Sequence, residues 1–281
     1  MTCSIATFHL SDAIVVNSSD QVATLPTTNA LKRMPFDRWR TTGASGQATF
    51  TSVPASVSQI ALLYANATAA CTVRVRAGTN TTTVTSAPSF DSGTLDHQPG
   101  ARDWSTWART HFLLDLSVAV TQPVWRIDVN QVSGATFYES GRVGFLSPYR
   151  PSRGIDWGDR IVPIDATRRR RSRNGTAHPV YAGIHREAEL RLTVTAANEA
   201  EFLATLGDLR RRVVGRVPLL YVKRPRAVTI GAPTIGSGLM YGDDDLMDHL
   251  IYGYLREQPY PENDERQVQR MRLAIEEVVH P

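Results

Sequence analysis

The sequence is poor in cysteine and has no long hydrophobic run. Cys3 and Cys71 are the two cysteines among 281 residues, and no Cys-x-x-Cys spacing occurs, which argues against a cysteine-based zinc or redox site. We expect two free thiols in a reducing compartment, with a disulfide as the alternative. No apolar run approaches the roughly 18 residues of a membrane helix. The N-terminus lacks a basic region and a clear cleavage site, so neither a membrane span nor a signal peptide is expected.

Motifs for catalysis are also lacking. There is no Gly-x-Ser-x-Gly, Walker loop, Gly-x-Gly-x-x-Gly or His-Glu-x-x-His, and no two of the seven histidines lie three or four residues apart. The acidic residues 243–245 and Asp248 lack the glycine and distal glutamate of an EF-hand, which favours a solvated loop over a calcium site. Asp115, Asp128 and Glu139 are carboxylate candidates for glycoside hydrolysis, but their spacing selects no pair. We expect no enzymatic activity, no metal and no cofactor.

The charge is not spread along the chain. The net charge is +4, hydrophobic residues make up 42% and charged residues 21%, which is ordinary globular composition for about two domains. Residues 151–182 carry seven arginines and three aspartates, a net charge equal to that of the whole chain. A basic excess in one short segment argues against a dedicated nucleic-acid-binding face.

Residues 1–150 have the pattern of an all-β domain. Cys71, Val73 and Val75 alternate with polar residues, as do Trp125, Ile127 and Val129, which is typical of half-buried strands. Short β-rich runs recur between turn-forming residues and predict one antiparallel β-sandwich of about eight strands. The runs are Ala13–Val16, Ala48–Val53, Gln59–Tyr64, Thr72–Ala77, His111–Val118, Pro123–Asn130, Ala135–Tyr138 and Arg142–Leu146.

Residues 151–182 form an arginine-rich segment with Pro, Gly and Asp punctuation, which predicts a linker or arm. A solvated loop, an arm that docks on an acidic neighbouring surface and a nucleic-acid contact are the three interpretations. The candidate inter-subunit arm consists of Arg168, Arg169, Arg170, Arg171 and Arg173.

Residues 183–281 indicate an α+β domain. Residues 188–195, 217–222 and 249–256 predict strands, and Phe202–Val214 predicts an amphipathic helix because Phe202, Leu206, Leu209 and Val213 form one apolar stripe. The terminal residues 271–279 fit both a helix and a strand, and the alternation favours a strand.

The five tryptophans divide into core and surface candidates. Trp125 shares a face with Ile127 and Val129, which predicts a core position, and Trp39 is a further core candidate. Trp104 and Trp107 lie in a predicted loop that also contains arginines. A loop tryptophan can stack on the C–H face of a sugar ring, so these two residues form a candidate glycan platform.

The order of motifs in the N-terminal half resembles a galactose-binding-like jelly roll of the discoidin type, as found in tail proteins of tailed phages. The motifs that carry this resemblance are residues 29–31, 36–40, 60–66, 72–77 and 138–145. One departure is Ala65-Asn66, where such proteins often have a His-Asn step. The resemblance implies an N-terminal jelly-roll β-sandwich.

The C-terminal half is similar to the tube-like domain of distal tail and tail-tip proteins. The helix at 202–214, the strand at 216–222 and the ending at 273–278 carry this resemblance. It implies a tail-tube-like β-sandwich with one flanking helix that assembles into a ring of copies, commonly sixfold, around the tail channel. The galactose-binding-like domain then decorates the ring or contacts fibres.

The expected function is therefore a structural role at a phage tail tip or baseplate, in contact with tube, hub and fibre proteins. The expected location is the virion tail, after synthesis in the host cytoplasm. The alternative is a carbohydrate-binding adhesin that recognises a host glycan through Trp104 and Trp107. An enzyme or a nucleic-acid binder is the third hypothesis. The predicted domains are residues 1–150, the linker or arm 151–182, and residues 183–281.

Overall fold

The chain is mainly β, as the alternating patterns predict. The computed structural model describes residues 3–7, 14–17, 21–32, 37–51, 56–68, 70–97, 110–131, 136–150, 160–165, 168–171, 177–180, 184–194, 218–223, 227–229, 238–241, 250–256, 260–264 and 268–278. No helix among these residues is long and apolar enough to cross a membrane. In chain order the elements are β1 (Cys3–Thr7), β2 (Ile14–Asn17), the 3-10 helix η1 (Thr27–Leu31), β3 (Trp39–Arg40), β4 (Ser45–Thr51), β5 (Val57–Ala65), β6 (Cys71–Gly78), α1 (Thr83–Ser86), β7 (Phe90–Asp91), β8 (Leu95–Asp96), β9 (Thr110–Val120), β10 (Val124–Gln131), β11 (Glu139–Ser140), β12 (Arg142–Leu146), β13 (Arg160–Asp165), β14 (Arg168–Arg171), β15 (Ala177–Val180), β16 (Ile184–Val194), β17 (Leu219–Lys223), β18 (Ala227–Thr229), β19 (Gly238–Tyr241), β20 (Leu250–Leu255), β21 (Tyr260–Asp264) and β22 (Val268–Glu277).

The chain divides into two compact units. The first, called the sandwich unit here, consists of residues 6–148 and 224–250. The second, called the sheet unit, consists of residues 1–5, 149–223 and 251–281. Each unit therefore contains segments that are distant in sequence.

Two large sheets form the sandwich unit, and β3 pairs with β11 in a small two-stranded sheet. One is six-stranded, in the order β2-β4-β10-β6-β7 with β8 also paired to β6, and the other is five-stranded, in the order β12-β5-β9-β19-β18. The inner faces of both sheets contribute to one hydrophobic core, in which Phe50, Val73 and Trp125 lie on the first sheet and Leu62 and Phe112 on the second. This is the two-layer architecture that strands with one apolar face must form.

A bulge interrupts the pairing of β5 with β9. The register shifts between Leu62 and Ala65, and Tyr64 has a φ of 57°, the left-handed region that a non-glycine residue adopts rarely. The Tyr64 backbone N–H donates to Nδ1 of His111 at 3.2 Å, and the two rings meet edge to face. These two contacts hold the unusual backbone in place.

One seven-stranded sheet dominates the sheet unit, in the order β1-β17-β20-β22-β16-β13 with β21 also paired to β22. Leu190, Leu192, Leu273 and Ile275 point to one face, where they form the core with residues of β1, β17 and β20. Strands β20 and β22 pass very close together at Gly253, where a Cβ atom would lie 2.1 Å from the carbonyl oxygen of Glu276.

The segment expected to be a linker or arm, residues 151–182, contains three strands among its described residues. Residues 160–165 form β13, an edge strand of the seven-stranded sheet, and β14 pairs with β15 as a separate ribbon. Ile161, Val162 and Ile164 are β-branched and favour a strand, and an edge position tolerates Pro163. The terminal strand β22 agrees with the expectation for residues 271–279, whereas the helix expected at 202–214 lies outside the described residues.

Candidate functional site

A polar pocket lies on the outer face of the six-stranded sheet. Cys71, Val73 and Val75 of β6 face the core, so the intervening residues face outward. The antiparallel register places Arg74 opposite Asp128, and Thr72 opposite Asn130 of β10. The resulting concavity has a volume of about 320 Å³, and its lining consists of Thr72, Arg74, Arg76, Thr94, Asp128, Val129 and Asn130.

A bidentate ion pair with Asp91 holds Arg74 at this pocket. The Arg74 Nε–H donates to Oδ1 of Asp91 at 2.9 Å, and Nη2 donates to Oδ2 of the same carboxylate. The backbone N–H of Gly93 also donates to Asp91. The hydrogen bond from Arg74 is the largest cause that holds the pKa of Asp91 below its usual range, and the bond from Gly93 adds to it. The hydrogen bond to Asp91 in turn raises the pKa of Arg74.

A second carboxylate connects two further arginines. Asp128 accepts from Nη2 of Arg76 at 2.6 Å and from Nε of Arg126 at 2.8 Å. Arg76 is only 8% exposed, and its Nη1 donates to the carbonyl oxygen of Thr85 in α1 at 3.1 Å. The guanidinium of Arg76 is therefore held in place before any ligand binds.

Hydrogen-bond donors are in excess at the pocket. Within the described part of the chain, Nη1 of Arg74, Nε of Arg76 and Nδ2 of Asn130 have no acceptor. Three guanidinium groups and two carboxylates form the ion pairs of this cluster, and the exposed Asp96 lies beside Thr72 on the same face of the sheet. This arrangement favours a ligand that brings acceptor oxygens and negative charge.

A second polar cluster ties strands β3, β5 and β11 together. Glu139 accepts from Nε of Arg40 at 2.6 Å and from Nη1 of Arg38 at 3.3 Å. Arg40 also lies 4.2 Å from the ring centroid of Phe137. Asn66 accepts the Glu139 backbone N–H at 2.6 Å and donates to the carbonyl oxygen of Phe137. Because the carboxylate is bound from both sides by arginines, this cluster stabilises the end of the sandwich.

Buried titratable groups in the sandwich are poorly placed for chemistry. Burial raises the pKa of the Cys71 thiol to about 12 and lowers the pKa of His97 to about 3. Tyr138 donates or accepts at 3.4 Å from Nε2 of His97, and burial raises its pKa as well. At neutral pH these groups are uncharged and enclosed, so they contribute to packing.

The sequence-predicted carboxylates do not form a pair. Asp115 accepts from Nε2 of Gln59 at 2.7 Å, whereas Asp128 and Glu139 each bind two arginines. In the described residues no group of three His, Cys, Asp or Glu side chains could hold a metal ion.

The tryptophan predictions have mixed outcomes. Trp39 and Trp125 are fully buried, as expected of core residues. Trp104 and Trp107 lie outside the described residues, so the glycan platform stays a prediction.

The arginine run is partly described. Arg168, Arg169, Arg170 and Arg171 form β14 and pair with residues 177–180, and Arg173 lies outside the described residues, as do residues 243–245 and Asp248. A strand was missed here because a run of arginines has no apolar alternation to indicate one.

Sequence reasoning did not identify the pocket. It assigned Thr72, Arg74 and Arg76 to the polar face of a strand, but it had no means of pairing that strand with β10. The signal was the charge pattern itself, because Arg74, Arg76, Arg126 and Asp128 fall on outward positions of two predicted strands. Cross-strand register is a non-local property, so the signal could not be used.

Comparison with known proteins found solved structures that match about half of this chain at low sequence identity. No protein-family model matches the chain, and no curated protein matches it. A solved structure of CBM32-3, from a family 31 glycoside hydrolase of Clostridium perfringens, matches with 6% identity and a TM-score of 0.39, covering 50% of this chain and 94% of that chain. A chain from the crystal structure of reduced XRCC1 bound to the DNA pol beta catalytic domain matches with 17% identity and a TM-score of 0.36, covering 52% of this chain and 99% of that chain.

Proposed function

We propose that this chain is a structural protein of a phage tail tip or baseplate, without catalytic activity. Copies of the chain would form a ring around the tail channel, with six as the expected number. The sandwich unit would attach peripheral tail components such as fibres. Support comes from the order of the sequence motifs, which resembles that of distal tail proteins over both halves of the chain.

The structural observation that carries the proposal is an open sheet edge in the sheet unit. Strand β13 pairs with β16 on one side, and on the other side no strand pairs with it among the described residues. An unpaired edge is a site for contact with another chain. Pro163 removes one backbone donor from this edge, which disfavours indiscriminate strand addition and favours a defined neighbour.

The basic ribbon of β14 and β15 is the proposed inter-subunit tether. Four consecutive arginines, residues 168–171, pair with residues 177–180. Such a concentration of positive charge suits an acidic surface on the adjacent subunit. The proposed location is the virion tail, after synthesis in the host cytoplasm.

The size and shape of the purified assembly test this proposal. Light scattering during size-exclusion chromatography should give a closed oligomer, and negative-stain electron microscopy should show rings with a central channel. A variant with glutamate at residues 168–171 should yield smaller species, whereas Arg256→Gln, which alters one exposed arginine outside the ribbon and outside β13, should assemble normally. A monomer at all concentrations would refute ring formation, and intact rings of the glutamate variant would refute the tether.

Carbohydrate binding by the sandwich unit is the second candidate function. The observation that favours it is the polar pocket between β6 and β10, with its unsatisfied donors. The two functions are compatible, since a tail protein can also contact a host surface.

A further inference from the structure

We propose that the pocket between β6 and β10 binds a carboxylate-bearing sugar, such as a hexuronic acid residue of an acidic polysaccharide. This inference rests on the second candidate function and is independent of ring assembly. The described residues at this site differ from the tryptophan platform that the sequence suggested.

The donors define the charge of the ligand. Arg74 binds Asp91 through Nε and Nη2, and its side chain is 43% exposed, so Nη1 is accessible to a ligand. A carboxylate at the Arg74 end of the pocket would accept from this N–H in a charge-assisted hydrogen bond, which is stronger than a bond to a neutral hydroxyl.

The pocket is already ordered for binding. Asp91 holds Arg74 through two hydrogen bonds, and Asp128 together with Thr85 holds Arg76. Both arginines extend from one strand of a hydrogen-bonded sheet. Little side-chain entropy would be lost when the ligand binds, which raises affinity.

The remaining lining indicates a polyhydroxylated ligand. Thr72 and Asn130 lie directly opposite each other on β6 and β10, and Thr94 also lines the pocket. Hydroxyl and amide groups both donate and accept, which matches the hydroxyl groups of a sugar ring. The lining contains no aromatic side chain, so affinity for a neutral sugar by stacking is not expected. The volume of about 320 Å³ is at the lower end of the range for small-ligand sites.

The test is a titration of the full chain, observed by NMR at backbone amides, with three probes. Tri-galacturonate is the acidic sugar, galactotriose the neutral sugar and tri-glutamate the acidic peptide. We expect tri-galacturonate to shift the amide signals of residues 72–76 and 128–130, with the other two probes at least about tenfold weaker, because a charge-assisted hydrogen bond contributes that factor.

Two matched variants separate specific binding from general electrostatics. Arg74→Gln removes a positive charge and the Nη1 donor from the pocket, whereas Arg126→Gln removes a positive charge from the same face but not from the lining. We expect Arg74→Gln to weaken tri-galacturonate binding at least about tenfold and Arg126→Gln less than about threefold. Should Arg74→Gln fail to fold, Asn130→Asp places a repelling charge at an exposed position of the lining and should cause the same loss.

Each remaining outcome overturns the proposal. Absent shifts with tri-galacturonate would exclude the site. An equal loss of tri-galacturonate affinity in the Arg74 and Arg126 variants would show that binding depends only on the charge of the surface. Equal binding of galactotriose would remove the need for the carboxylate, and equal binding of tri-glutamate would identify an acidic peptide instead. Because oligomer size is measured separately, failure here leaves the ring proposal standing.

Discussion

The two units of the protein contain the same ionic arrangement in different surroundings. In the sandwich unit Glu139 binds Arg38 and Arg40, and its side chain is only 3% exposed. In the sheet unit Glu189 also binds two arginines, on β13 and β22, but its side chain is 30% exposed. A buried carboxylate depends on its partners because water cannot replace them, whereas an exposed one does not. The cluster around Glu139 therefore depends more on its ion pairs than the cluster around Glu189 does.

The cores of the two units differ in a related way. The sandwich encloses its core between the inner faces of two sheets. In the seven-stranded sheet of the other unit, the described core lies on one face of β16 and β22, and the opposite face carries ion pairs such as Arg272 with Glu189. The core of the sandwich unit therefore lies between two sheets, whereas the described core of the sheet unit lies on one face of a single sheet, and four changes test how the two units differ.

Truncation of the sandwich core should have the largest effect. Trp125 is fully buried and packs against Phe90 and Phe145, so Trp125→Ala should reduce the free energy of unfolding of this unit by about 4 kcal/mol. Hydrogen exchange with mass spectrometry should show lost protection in β4 and β10 but not in β16 and β22. Ile251→Ala, in the core of the sheet unit, should give the opposite pattern. Simultaneous loss in both units would contradict their separation.

Removal of the buried charge should rank second. Glu139→Gln preserves the shape of the side chain but leaves the partly buried guanidinium groups of Arg38 and Arg40 without a carboxylate, which should cost about 3 kcal/mol. Urea unfolding, monitored by the exchange of β3 and β11, measures this cost. A cost similar to that of an exposed ion pair would show that water reaches the cluster.

Acid should weaken the sandwich unit through His97. Burial lowers the pKa of this ring from 6.5 to about 3, so the unfolded chain binds a proton below pH 6.5 that the folded chain does not. Stability is therefore lost as the pH falls, by about 1.4 kcal/mol per pH unit below 6.5, or about 2 kcal/mol at pH 5. Denaturation at pH 7 and pH 5 measures this change.

One variant in each unit tests whether His97 causes this loss of stability in acid. His97→Phe should reduce the pH dependence of the sandwich unit by about that amount, since the ring already packs against Phe112. His185→Gln, in the sheet unit, should leave the pH dependence of the sandwich unchanged. An unaltered slope in the His97 variant would assign the acid sensitivity to other groups.

Removal of the exposed charge should have the smallest effect. Glu189→Gln replaces a carboxylate that Arg160 and Arg272 contact at 3.0 and 2.9 Å, and we expect a cost below about 1 kcal/mol because water screens the pair. The hydrogen bond from Arg272 lowers the pKa of Glu189, so this small contribution disappears as the pH falls through the lowered value. A cost equal to that of Glu139→Gln would remove the contrast between the units.

Much of the sandwich was predictable because its signals are local. The alternation of residues 71–76 predicted both strand β6 and its inward residues, and the pattern around Trp125 did the same for β10. Residues 142–146 were predicted with their observed bounds. These strands satisfy the period of two that one buried face imposes.

The remaining features depend on pairing between distant segments. Strand β1 joins β17 in the seven-stranded sheet, and β19 returns to pair with β9 of the sandwich unit. Local composition does not predict either pairing, because any β-rich segment could occupy these positions in the sheet. The candidate pocket was missed for the same reason: its residues were visible, but the register that brings Arg74 and Asp128 together was not.

The central claim is that the chain is a structural component at the end of a phage tail. The most direct measurement is electron microscopy of virions from an induced lysate, labelled with a gold-conjugated antibody against this chain. The account predicts label at the tail end, and label on distal fibres would favour the adhesin. Unlabelled virions together with free chain in the same lysate would contradict it.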